Sequence, residues 1–112
     1  MKLNKNEIEV GFLYQTSDKQ YRAVLAMKGD FMIYAPSLTE NKTLNLSHQQ
    51  EKMPFENQPF KKCQIDTFAK KDYQPFSVND AQNSPAIKHP LNESQLNEII
   101  RQCNAKAAMS AL

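Results

Sequence analysis

The most regular hydrophobic pattern in the chain runs from Ile8 to Pro36. Val10, Phe12 and Tyr14 alternate with Gly11, Leu13 and Gln15, the period of two that a strand requires. This predicts a strand over Val10–Gln15. The polar run Gln15–Gln20 holds Ser17 and Asp18, whose side chains favour turns. A second strand is predicted over Tyr21–Met27. Lys28-Gly29-Asp30 then reads as a tight hairpin, with Gly29 free to take a positive φ. A third strand, Phe31–Ala35, is expected to stop at Pro36, which has no N–H to donate to a ladder. Three strands on two short connections make a meander. Met1–Glu7 is polar and is expected to be a frayed lead-in.

Beyond the meander the pattern changes. Residues 37–59 are polar and read as a long loop, either a plain surface excursion or a binding loop. A short strand is expected inside it at Thr43–Leu46. Phe60–Ile65 reads as a further strand, with Cys63 and Ile65 on one face. Asp66–Lys71 reads as one helical turn, N-capped by Asp66, with Phe68 turned into the core. Residues 74–91 hold Pro75, Pro85 and Pro90 and read as an extended linker, its start pinned by Tyr73 and Phe76.

Residues 92–112 carry the clearest local signal. Asn92 and Gln95 have the spacing of a capping box, and Leu91 and Leu96 that of a hydrophobic staple. Leu96, Ile99, Ile100, Cys103 and Ala107 form one apolar stripe of an amphipathic helix. That stripe has two uses: packing on its own sheet, or pairing with another chain as a homodimer. No glycine cap closes it, so its end is expected to fray.

Composition narrows the function classes. The chain has 112 residues, 14 Lys and Arg against 12 Asp and Glu, and 40% hydrophobic residues. That is one domain with a modest core. A net charge of +2 does not by itself imply nucleic acid. No apolar segment follows the basic start and no run reaches the length of a membrane span, so a cytoplasmic protein is expected. In that compartment Cys63 and Cys103 are expected as free thiols. His48, Cys63, His89 and Cys103 lack the close spacing of compact metal sites. With only two glycines, a phosphate-cradling loop is nearly excluded. Cys63 lies beside Lys61 and Lys62. Alternation points Lys62 away from it and lets Lys61 share its face, yet a core thiol is the plainer reading than a nucleophile. No enzyme and no cofactor are expected.

Two binding surfaces remain. Tyr14, Tyr21, Tyr34 and Tyr73 are too many for all to be core. Tyr14, Tyr21, Arg22 and Tyr34, with Ile99 and Ile100 on the helix, are the candidates for contact with a protein partner. The alternative is nucleic acid, tracked by Lys61, Lys62, Lys70 and Lys71 with Tyr73.

Val10-Gly11-Phe12-Leu13-Tyr14, Tyr21-Arg22-Ala23-Val24-Leu25 and Gly29-Asp30-Phe31-Met32-Ile33-Tyr34 together resemble a small SH3-like barrel of the Tudor or KOW kind. The stretch is also similar to small bacterial proteins of phages, plasmids and other mobile elements. In those a like opening is followed by a Cys and a Phe-Ala pair, here Cys63, Phe68 and Ala69. The aromatic that often follows the pair is replaced by Lys70 and Lys71. The resemblance covers about residues 8 to 71. It implies a mainly β fold, a barrel of four to five antiparallel strands over residues 1–73, and a non-catalytic module that binds protein or nucleic acid. The expected whole is that barrel, a linker over 74–91 and the C-terminal helix.

Overall fold

The computed structural model describes residues 1–38, 60–77, 79 and 84–112. It is mainly β. Five antiparallel strands, β1 (Phe12–Gln15), β2 (Tyr21–Lys28), β3 (Phe31–Leu38), β4 (Lys61–Gln64) and β5 (Lys88–Pro90), form one sheet in the order β4-β3-β2-β1-β5. Helices α1 (Ile65–Ala69), α2 (Glu93–Gln102) and α3 (Lys106–Ser110) and a 3-10 turn at Lys5–Glu7 complete the described elements.

The meander forms as the alternation requires. Thr16 closes the first turn: its N–H donates to Gln20 O at 2.9 Å, and its hydroxyl donates to the Asp18 carboxylate and accepts from Gln20 N at 2.9 Å. The second turn is a two-residue loop between Lys28 and Phe31, with Gly29 at φ +60° as a type II′ hairpin needs.

Two bulges then adjust the central pair. Val24 faces Tyr34 while Ala26 faces Ile33, so Leu25 is an extra residue on β2. Ala23 faces Ala35 while Tyr21 faces Leu38, so β3 carries the extra residue around Pro36. That second bulge explains why β3 does not stop at Pro36 as expected. A bulge leaves ladder groups unpaired, and a proline has no N–H to lose there.

Both faces of the sheet are covered. On the first face Tyr14, Val24, Met32 and Tyr34 pack against Leu3, Ile8, Phe68, Ala69 and Tyr73. On the second, Leu13, Ala23, Leu25, Ile33 and Ala35 pack against Ile99, Cys103 and Ala105. Among the described residues the sheet is open, with β4 and β5 as its two edges. The expected SH3-like closure is not seen: separate elements cover each face, rather than the sheet curling on itself.

Several segments differ from their sequence patterns. Met1–Glu7 is not frayed. Leu3 is buried and its N–H donates to Ala69 O at 3.0 Å, while Tyr73 N donates to Met1 O at 2.8 Å. Asp66 is not the N-cap of α1. Gln64 holds that position, and Asp66 in the first turn pairs with Lys5 at 3.1 Å. Phe68 does point into the core. Within the expected linker, Lys88–Pro90 pair with Phe12–Tyr14 and Pro75 bridges Ala86, so its described residues are an arm held to β1 rather than a free linker. The expected strand at Thr43–Leu46, and His48, lie outside the described residues.

The capping box is present. Asn92 N donates to Gln95 Oε1 at 3.0 Å, and Gln95 N to Asn92 Oδ1 at 2.7 Å. The helix breaks at Asn104, which takes φ +55°. Asn104 N donates to Arg101 O at 3.2 Å and Ala105 N to Ile100 O at 3.1 Å, the paired bonds of a Schellman motif. The break resets the helical phase, so Ala105 is buried and Ala107, the last residue of the expected stripe, is exposed.

If each cover is needed, truncating either should cost several times the ordinary effect of a mutation. Phe68→Ala is expected to destabilise by about 3–5 kcal/mol and Ile99→Ala by about 2–5 kcal/mol. Urea unfolding followed by far-UV circular dichroism measures both.

Candidate functional site

The first face carries the densest chemistry. Phe68 projects from α1 and makes edge contacts with Tyr34 (5.1 Å, 70°) and Tyr14 (5.8 Å, 83°), and a tilted one with Tyr73 (5.5 Å, 38°). Such contacts stabilise beyond area burial alone. Each buried phenol needs a polar partner. Tyr14 donates to Glu7 O at 2.7 Å and accepts from Glu9 N at 3.0 Å, which staples the N-terminal segment onto the sheet. Tyr73 donates to Phe68 O at 2.6 Å. Burial pushes the phenols of Tyr14, Tyr34 and Tyr73 above their ordinary range.

Arg22 lies at the rim of this cluster. Its guanidinium sits 4.9 Å from the Tyr34 ring centroid and 5.6 Å from that of Phe68. Its Nε donates to Gln20 Oε1 at 2.6 Å and its Nη1 to Tyr73 OH at 3.4 Å. Half-buried Cys63 is close by. Burial raises its thiol pKa, while the positive charges of Arg22 and, less strongly, Lys61 oppose the rise.

Beside the cluster runs a groove of about 830 Å³, between the N-terminal segment and the arm's Phe76 and Pro85–His89. Leu3, Tyr14, Ala86 and Phe76 give it an apolar lining, and Phe76 is 77% exposed. Its rim carries Glu7 and His89, and an ion pair of Lys88 with Glu9 at 2.8 Å. Lys88 also stands 4.4 Å over the Phe12 ring.

The residues expected to contact a protein do not converge. Tyr14 and Tyr34 are core residues of the first face, because the sheet is covered there, and so keep little surface of their own, with Tyr14 only backing the groove. Arg22 is half-buried beside them. Tyr21, Ile99 and Ile100 belong to the second face, with Ile99 only 1% exposed. The stripe of α2 is thus occupied by its own sheet. The basic residues separate as well. Lys61 and Lys62 alternate to opposite faces, with Lys62 5.4 Å from the Phe31 ring. Lys70 is exposed at the end of α1, Lys71 lies 3.4 Å from Asp18, and Tyr73 is fully buried. Cys63 and Cys103 pack on opposite faces and are both free. Burial pushes the Cys103 thiol up to about 11.

The sequence pattern does not predict the groove. Phe76 is expected from it to pin the arm, and it is exposed instead. Ala86 and Ile87 beside Lys88 are the available strand signal, masked by three nearby prolines. Among the described residues no cluster of three or more His, Cys, Asp or Glu could hold a metal, and no helix is long and apolar enough to cross a membrane. Comparison with protein-family models, curated proteins and solved structures gives no match.

The geometry around Cys63 predicts its reactivity. A raised pKa leaves less thiolate at a given pH, so iodoacetamide should label Cys63 more slowly than a free cysteine at pH 8. Removing a nearby positive charge raises the pKa further. The pH profile of labelling should therefore move upward in Arg22→Gln and by less in Lys61→Gln, read by mass spectrometry of the Cys63 peptide.

Proposed function

We propose that this chain is a non-enzymatic, cytoplasmic binding module that takes an extended segment of a partner protein into the groove beside the N-terminal segment. The observation that carries the reading is Phe76. A phenylalanine 77% exposed at the wall of an apolar groove leaves apolar area in water that a partner's apolar side chain can cover. A concave groove suits an extended segment better than a flat folded face. Its rim holds both an acid, Glu7, and a base, Lys88, to which the polar backbone and flanking charges of such a segment can pair. Nucleic-acid contact through residues 60–73 draws less support, because its lysines face different ways and Tyr73 is withdrawn from base stacking.

The test is affinity capture from the native cell with wild type and Phe76→Asp, each with and without nuclease. Phe76 is exposed, so the variant should keep the wild-type melting temperature. A captured protein that survives nuclease and is lost with Phe76→Asp is the expected result. Capture indifferent to Phe76→Asp, or abolished by nuclease, contradicts the proposal.

A further inference from the structure

Arg22 and Lys61 present two positive charges to the same face of the sheet, on either side of Tyr34. Lys61 is the direct cross-strand neighbour of Tyr34, and the Arg22 guanidinium covers the Tyr34 ring at 4.9 Å. Their strands, β4 and β2, are separated by β3 alone, a span of about 10 Å at the usual strand spacing. Each side chain is long enough to reach the middle of that span.

Neither cation has a carboxylate partner among the described residues. Lys5, Lys71, Lys88 and Arg101 each do, and the remaining described lysines do not. The lack matters most for Arg22, which is half-buried. Withdrawing a guanidinium from water is costly without an anion. Among the described residues only two of its N–H groups are engaged, one by the neutral Gln20 amide and one, at 3.4 Å, by the Tyr73 phenol. The aromatic rings hold its plane in place, so little side-chain entropy remains to be lost on binding. The paired charge of these two side chains matches a phosphate monoester, which carries about −1.5 to −2 at neutral pH.

We propose that Arg22 and Lys61 form a binding site for a phosphomonoester group, either free phosphate or a phosphorylated side chain. Arg22 offers a fork of donors to its oxygens and Lys61 a point charge from the opposite side. The site is separate from the Phe76 groove and does not depend on it.

The test is an NMR titration at fixed ionic strength with inorganic phosphate, with N-acetyl-phosphoserine amide and with acetate. Saturable shifts at the Arg22 Nε–H and the Tyr34 ring are expected with either phosphate, and weaker binding with acetate. Lys61→Gln should lower phosphate affinity about threefold to fivefold, the scale of one exposed charge contact. Lys62→Gln removes the same charge from the opposite face and should leave the affinity unchanged. Both lysines are exposed, so both variants should keep the fold, which circular dichroism verifies. Tighter binding of the phosphoserine derivative assigns the site to a phosphorylated side chain, and the reverse order to free phosphate. Absence of a saturable shift at Arg22, equal affinity for acetate, or equal losses from Lys61→Gln and Lys62→Gln overturns the proposal.

Discussion

Burial of β2 and β3 on both faces is the constraint on which the rest of this structure depends. Val24, Met32 and Tyr34 point one way and Ala23, Leu25 and Ile33 the other, and all are buried. An open sheet of five strands cannot cover both of its own faces. The N-terminal segment and α1 cover one, and α2 with α3 covers the other. The two ends of the described chain are therefore as much a part of the core as the meander is. Even the bulge at Leu25 serves this arrangement, since it turns both Leu25 and Ala26 toward the second face.

The two candidate surfaces arise at the margins of the first cover. Tyr14 fastens the N-terminal segment to the sheet by two hydrogen bonds, and that segment becomes one wall of the groove. Phe68 and Tyr73 fill the centre of the same layer and end at Arg22, whose charged group lies where the aromatic packing meets solvent. Core packing thus positions both the apolar groove and the cation pair. The strands at the sheet's edges suit contact by side chains more than strand addition: β5 ends in Pro90 and β4 carries Lys61 and Lys62.

Local features are the legible ones. The alternation over residues 10–35, the Gly29 hairpin, the Asn92–Gln95 capping box and the inward Phe68 each rest on residues within a few positions of one another. The features that escape a reading of the sequence depend on distant partners. Leu3 gains its burial from Ala69 and its neighbours, and no nearby residue announces that. The arm around Pro75 and Pro85 pairs with β1 through backbone groups that composition does not reveal. Tyr14 and Tyr34 look like surface residues only if the sheet has one covered face, whereas it has two. Asn104 is subtler: asparagine tolerates the left-handed conformation, so it caps α2 as glycine does and shifts the helical phase of the residues after it.

The central claim is that both covers are integral to the fold, and native-state amide hydrogen exchange tests it most directly. The amides to monitor are Leu3, bonded to Ala69 O on the first cover, and Cys103, bonded to Ile99 O on the second, against those of central β2 and β3. The account predicts opening free energies for Leu3 and Cys103 within about 1 kcal/mol of those of the central strands, as in a single cooperative unit. Rapid exchange of either amide while β2 and β3 stay protected would contradict it.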